Sequence, residues 1–89
     1  MPTISMFYGI IVQMLFYDNK EHHSPHIHIR YGEYRATFEI ETAKLLAGNI
    51  PPKQKRLIQA WIEIHKEELL ANWQLAIEGS QVFPIDPLK

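Results

Sequence analysis

Two runs of alternating apolar and polar residues, HIHIRY (26–31) and YRATFEI (34–40), are separated only by Gly32-Glu33. A two-residue loop that begins with glycine favours a type II′ hairpin turn. This turn sets the register of the two strands, so that Tyr31 faces Tyr34 and His26 faces Glu39. One face of the hairpin is apolar and predicts a core contact: Ile27, Ile29, Tyr31, Tyr34, Ala36 and Phe38. The opposite face is polar: His26, His28, Arg30, Arg35, Thr37 and Glu39.

Other segments extend this hairpin into a sheet. GIIVQMLFYD (9–18) is apolar at almost every position, which is typical of a central strand that is covered on both faces. Its second face contains Gln13 beside Ile11, Leu15 and Tyr17, and in so small a chain the cover on one face could be another molecule. AKLLAGNI (43–50) is a possible fourth strand.

The C-terminal half has a helical pattern over 51–79, with Pro52 in the first turn and Gly79 at the stop. Its apolar stripe shifts near His65 and Lys66, so the segment is either one long bent helix or two helices. The predicted fold is α+β: an antiparallel β-meander of three or four strands, followed by helix packed on one sheet face. We expect the tail SQVFPIDPLK to lie extended over the surface.

Composition excludes several classes of protein. Eighty-nine residues make a single domain, 1–89. The lack of cysteine excludes disulfides, a thiolate zinc site and a cysteine nucleophile. A net charge of −1 gives no support to a dedicated nucleic-acid binder, and no apolar stretch approaches the length of a membrane span. We expect a soluble cytoplasmic protein.

The stretch EHHSPHIHIR (21–30) contains four of the five histidines. His26 and His28 are two positions apart on a predicted strand and therefore point to the same side. Both rings can reach one ion there, with His22, His23 or Glu39 as a third ligand. The spacing is compatible with a divalent metal such as zinc, held by His22, His26 and His28.

The same residues also permit chemistry without a metal. Glu39 opposite His26 can orient an imidazole for proton transfer, and Arg30 opposite Arg35 can hold a phosphate group. His22, His26, His28 and Glu39 are then the candidate catalytic residues of a phosphodiesterase. The structural alternative makes the histidines solvent-facing strand residues and pairs the arginines with Glu33, Glu39 or a partner's carboxylates.

The segments ISMFYGIIVQMLF (4–16), HHSPHIHIRYGEYRATFEI (22–40) and WIEIHKEELLANWQLA (61–76) resemble the small bacterial proteins of the Domain of Unknown Function 4160 family. The family pattern of spaced histidines followed by Tyr-Gly falls on His22, His26, His28, Tyr31 and Gly32. Its helical pattern falls on Trp61, His65, Glu68, Leu69, Asn72 and Trp73. The chain departs from the pattern in having Ser24 where a proline is frequent, and in adding His23.

This resemblance implies a partner rather than an assigned activity. Family members are similar in size to toxin–antitoxin components and are often encoded beside a protein of the Domain of Unknown Function 2442 type. The leading hypothesis is therefore a protein-interaction module that forms homo-oligomers or pairs with a small cognate protein in a toxin–antitoxin-like system. The alternatives are a ribonuclease or other phosphodiesterase, metal-free or metal-dependent, and a divalent-metal-binding protein.

Overall fold

The computed structural model describes residues 2–15 and 24–89, which form one antiparallel sheet and two helices. The strands are β1 (Thr3–Phe7), β2 (Ile10–Gln13), β3 (His26–Tyr31), β4 (Tyr34–Glu39) and β5 (Leu45–Gly48). The helices are α1 (Pro52–Ile64) and α2 (Lys66–Ile77). Strand order in space follows the chain from β1 to β5, so the sheet is a meander. The predicted α+β class is confirmed.

The sheet has five strands rather than the predicted three or four, because β1 precedes the strand that the apolar run indicates. β1 and β2 are joined by Tyr8 and Gly9, which have φ values of 50° and 77°. Two positive φ angles match a type I′ turn, whose usual residues are Asn-Gly or Asp-Gly. A tyrosine seldom adopts this conformation, so the local sequence gives no hairpin signal. The possible fourth strand is confirmed as β5.

The hairpin register is confirmed over the whole length of β3 and β4, from Tyr31 opposite Tyr34 to His26 opposite Glu39. Gly32 has a φ of +55° and supplies the positive angle that a type II′ turn needs at its first position. The apolar residues of this hairpin therefore share one side with those of β1 and β2, but Tyr34, predicted to be in the core, is 41% exposed. We call this side the core face; it comprises Phe7, Ile10, Val12, Ile27, Ile29, Ala36 and Phe38.

Both helices pack on the core face. The buried helical side chains join the same apolar cluster as the strand residues: Ile58, Trp61, Ile62, Leu69, Trp73 and Ala76. The rings of Phe7 and Trp61 lie 5.3 Å apart between centroids, which places α1 directly against β1. Each large apolar side chain that is fully buried in this cluster contributes about 1.5–3 kcal/mol to the stability of the fold through its removal from water.

The helical segment forms two helices that meet at His65, which settles the alternative left open by the sequence. The His65 N–H still donates to the Trp61 carbonyl at 3.0 Å, but its backbone angles leave the helical range. Its imidazole pairs with the Glu68 carboxylate at 2.7 Å in the first turn of α2. Pro52 begins α1 and Gly79 follows the end of α2, as predicted.

The C-terminal tail forms no helix or strand, but side chains from both helices bind it. The Asn72 amide donates to the Phe83 carbonyl at 2.7 Å and accepts from the Phe83 N–H at 3.1 Å. The Trp61 indole donates to the Asp86 carbonyl at 2.8 Å, and the Ile85 N–H donates to the Ile4 carbonyl at 2.7 Å. These hydrogen bonds therefore hold the tail in place at the edge of the hydrophobic core.

Candidate functional site

The side of the sheet opposite the helices is the candidate site. In one row across the strands, Met6 lies opposite Ile11, Ile11 opposite Arg30, and Arg30 opposite Arg35. The next row consists of Gln13, His28, Thr37 and Ala47. Leu15 lies two residues beyond Gln13 along the chain. Residues directly opposite each other in an antiparallel sheet point to the same side. We call this side the open face; it comprises Met6, Ile11, Gln13, Leu15, His28, Arg30, Arg35, Thr37 and Ala47.

β2 was expected to be covered on both faces, and the described residues cover only one of them. Ile10 and Val12 are fully buried on the core face. Ile11, Gln13 and Leu15 are only partly buried. Within residues 2–15 and 24–89, the helices contribute to the cluster on the core face. The open face therefore combines partly exposed apolar side chains with polar and basic ones.

A trough of about 380 Å³ crosses the open face. The residues that line it include Gln13, Leu15, His28, Arg30, Arg35 and Thr37. Ala47 and Gly48 border it on β5, and their small size leaves room beside Arg35. Gly48 has a φ of +80°, and a Cβ atom there would lie 2.1 Å from the Arg35 carbonyl oxygen. Only glycine fits this position.

Arg30 and Arg35 lie directly opposite each other in this trough, and both are exposed. Their Cβ atoms are about 5 Å apart in such a pair, so the two positive charges repel. The structural alternative paired them with Glu33, Glu39 or a partner's carboxylates. Pairing with Glu33 or Glu39 is wrong, and pairing with a partner stays a prediction. Within the described ranges no carboxylate lies within 4.0 Å of either guanidinium, and the ion pairs lie at the helix junction instead.

The two histidines of β3 have different surroundings although they point to the same side. His28 is partly exposed, lines the trough, and has its Nδ1 3.4 Å from the Thr37 hydroxyl. His26 is only 1% exposed, because its ring packs against Trp73 with centroids 4.8 Å apart. Its Nδ1–H donates to the Ser24 carbonyl at 2.8 Å. The expectation of a solvent-facing His26 is wrong, although the rings of His26 and His28 remain 5.2 Å apart.

Glu39 lies opposite His26 in the register, but its carboxylate binds elsewhere. The hydroxyl of Thr42 donates to it, and this bond is the main cause that lowers the pKa of Glu39 below its ordinary 4.5. A bond from the Ser24 hydroxyl and the charge of Lys44 lower the pKa further, against a small opposing effect of burial. The structure therefore brings His28, Arg30 and Arg35 together in the trough and leaves Glu39 outside it.

His22 and His23 lie outside the described residues, and so does the metal site that needs His22. Between residues 2–15 and 24–89, no three His, Cys, Asp or Glu side chains are grouped so that they could hold a metal ion. A zinc or similar site made of His22, His26 and His28 thus stays a prediction.

Sequence reasoning did not include Gln13 and Thr37 among the site residues. Gln13 is a single polar residue in an apolar run, and it lies opposite His28 through the β2–β3 pairing. That pairing spans a long connection, so no local rule sets its register. Thr37 is on the polar side of the predicted hairpin, and the same alternation that selected His28 could have identified it.

Comparison with known proteins identifies the family. The family model described as Domain of unknown function (DUF4160) matches residues 9–74, about three quarters of the chain. The chain belongs to the DUF4160 family. No curated protein and no solved structure matches it. Neither helix of the described part combines the length and apolar character that a bilayer span requires.

The DUF4160 model extends from the β1–β2 turn into α2, so it includes the trough and most of the helical residues that hold the tail. The helical family pattern has a structural meaning in this chain. Trp61 and Asn72 bind the tail backbone, Trp73 packs on His26, and His65 pairs with Glu68 at the helix junction. The helical residues of the pattern thus stabilise the fold on the side of the sheet opposite the open face.

Proposed function

We propose that this DUF4160 protein is a small protein-interaction module that binds a cognate protein through the open face of its sheet. In this proposal the chain is one component of a toxin–antitoxin-like pair. Binding covers the side of the sheet that the two helices leave uncovered.

One observation carries this proposal: the open face places apolar side chains beside arginines, and the described residues leave both partly or fully exposed. Met6 is 63% exposed, Ile11 opposite it is only partly buried, and Leu15, beyond the end of β2, is also partly buried. Contiguous exposed apolar surface on a soluble protein marks an interaction site. Methionine and arginine are also enriched at protein interfaces relative to the remaining surface. A face of this composition gains stability when a partner covers it.

Copurification with the product of the neighbouring gene tests the proposal. The tagged chain and the untagged neighbour are expressed together, and the affinity of the recovered complex is then measured with variants. Met6→Gln combined with Ile11→Gln removes apolar contact from the open face without adding charge, and we expect binding at least about tenfold weaker.

Ile64→Gln is the matched control, because Ile64 is 65% exposed at the helix junction, nearly the same as Met6. This control should bind as the wild type does. The proposal fails if the wild-type chains do not associate, or if the double variant and the control bind equally well.

A second candidate function is phosphodiester cleavage, which the shared position of His28, Arg30 and Arg35 in one trough favours. In this alternative the arginines hold the phosphate and His28 transfers a proton. His22, His26 and Glu39 were also candidates, and here His26 positions the neighbouring ring. Expression of the chain alone should then arrest growth and degrade RNA, and His28→Ala should abolish both effects. An inert wild type eliminates this function.

A further inference from the structure

We infer that the trough between Arg30 and Arg35 binds a carboxylate, supplied by an acidic side chain that lies between apolar side chains of the partner protein. The inference rests on the proposed docking function and names the chemistry that the partner presents. It assigns the trough an anion that the described part of the chain does not provide.

The charges of the trough support an anionic ligand. Arg30 and Arg35 are held opposite each other by the β3–β4 ladder, so neither backbone can move away from the other charge. Among the described residues, no carboxylate comes within 4.0 Å of them. Glu39, which the register places on the same side of the hairpin, is bound by Thr42. A carboxylate between two guanidinium groups accepts charge-assisted hydrogen bonds from both and removes their repulsion.

The neighbours of the arginines favour a protein ligand over a nucleic acid. Met6 and Ile11 continue the same row across the sheet, so apolar surface borders the two charges. Proteins that bind single-stranded RNA combine many cations with aromatic side chains on which bases stack. Among the described residues that line the trough there are two cationic arginines and no Phe, Tyr or Trp. The net charge of −1 adds no wider attraction for a polyanion.

A second copy of this chain is a poor occupant. A dimer with two-fold symmetry brings the same patch of both subunits together. Two open faces packed on each other would bury both arginine pairs in one interface, and the described residues that line the trough include no Asp or Glu to offset their charge. A different protein with an acidic group has no such conflict. The trough volume of about 380 Å³ is sufficient for a side chain and its backbone.

Titration of the full chain with short blocked peptides tests the inference without the natural partner. One peptide has a single glutamate between two valines, and its twin has glutamine in place of the glutamate. Backbone amide shifts in ¹H–¹⁵N spectra report where each peptide binds. We expect the glutamate peptide to shift Arg30, Arg35 and Thr37 and to bind at least about fivefold more tightly than its twin.

Variants separate this site from general attraction between opposite charges. Arg30→Gln with Arg35→Gln should abolish the preference for glutamate. Lys53→Gln with Lys55→Gln removes the same charge at the start of α1 and should leave the preference intact. Dispersed spectra verify that each variant is folded. Equal binding of the two peptides, or an unchanged preference in the arginine variant, overturns the inference.

A short uridine oligonucleotide is the third probe. If it binds through the two arginines more tightly than the glutamate peptide, the ligand is a phosphate and the inference is wrong. The docking function is judged separately by Met6→Gln with Ile11→Gln. If that variant weakens partner binding and the arginine variant does not, the proposed docking function is supported and the carboxylate site is rejected.

Discussion

The two faces of the sheet are built from the same strands and have opposite relations to the rest of the molecule. On the core face, Phe38 and Ile27 have no exposed surface and contact both helices through one apolar cluster. On the open face, Arg30 and Arg35 remain exposed three residues away along the same strands. The two helices of residues 2–15 and 24–89 both pack on one side of the sheet. Burial of apolar side chains therefore explains the composition of the core face. The open face retains the Arg30–Arg35 pair, whose charge repulsion lowers the stability of the fold.

His26 marks where this division ends. Its position in the strand assigns it to the open face, yet Trp73 from the core side shields its ring. The alternation of side chains holds within the sheet, and at the end of β3 the ring of Trp73 from α2 packs against a side chain that the register assigns to the opposite face. His26 is thus better placed to support His28 than to meet a ligand directly.

The largest expected difference lies between two residues of β4. Phe38→Ala removes a fully buried ring and should lower the free energy of unfolding by about 3–5 kcal/mol. Arg35→Gln should change it by less than about 0.5 kcal/mol, because the side chain is exposed and its opposite neighbour has the same charge. Urea unfolding followed by circular dichroism measures both values. Similar losses in the two variants would show that the faces are not distinct.

Gly48 gives the next largest effect and tests the wall of the trough. Gly48→Ala combines a left-handed backbone angle with a collision against the Arg35 carbonyl, so we expect a loss of more than about 2 kcal/mol. Gly32→Ala is the matched control, since Gly32 also has a positive φ but has no atom within 4 Å of an added Cβ. The control should lose only about 1–2 kcal/mol. Equal losses would contradict the close packing of β5 on Arg35.

His26 and His28 provide a finer test of the boundary between the faces. His26→Ala removes a buried ring that packs on Trp73 and binds the Ser24 carbonyl, so stability should fall by about 2 kcal/mol. His28→Ala should cost less than about 1 kcal/mol, because His28 is partly exposed. Thermal unfolding compares the two. A larger loss of stability for His28→Ala than for His26→Ala would show that the partly exposed histidine is the one that stabilises the fold.

The smallest effect concerns pH and Glu39. Its pKa in the folded protein is lowered mainly by the Thr42 hydroxyl, so the ionised form is favoured in the folded state. The stability that this adds is present above the ordinary pKa of 4.5 and is lost as the pH falls through the lower folded value. Glu39→Gln should make the acid side of the stability profile slightly flatter.

Glu41→Gln, which removes the same charge two positions along the chain, is the control for Glu39→Gln. Melting temperatures measured between pH 3 and pH 7 compare the two variants with the wild type. An identical change of slope in both would assign the effect to net charge rather than to the Thr42 bond.

The sequence predicted the parts of the site that depend on neighbours along the chain. Alternation and the Gly32 turn placed His28, Arg30, Arg35 and Thr37 on one face, and the structure has the same register. Gln13 lies in the trough because β2 pairs with β3, which follows it after a long connection. No local sequence pattern sets the register of such a pairing. β1 was missed because Tyr8 adopts an angle that its residue type disfavours.

By itself, the sequence determined the α+β class, the β3–β4 register, the start of α1, the end of α2 and the polar face that became the site. These features follow from turn chemistry and from the periods of strand and helix, which act over a few residues. Only the tertiary structure decided that Trp73 buries His26, that Asn72 fixes the tail at Phe83, and that Gln13 lies opposite His28. Each of these contacts joins distant segments, and their geometry depends on how the whole core packs.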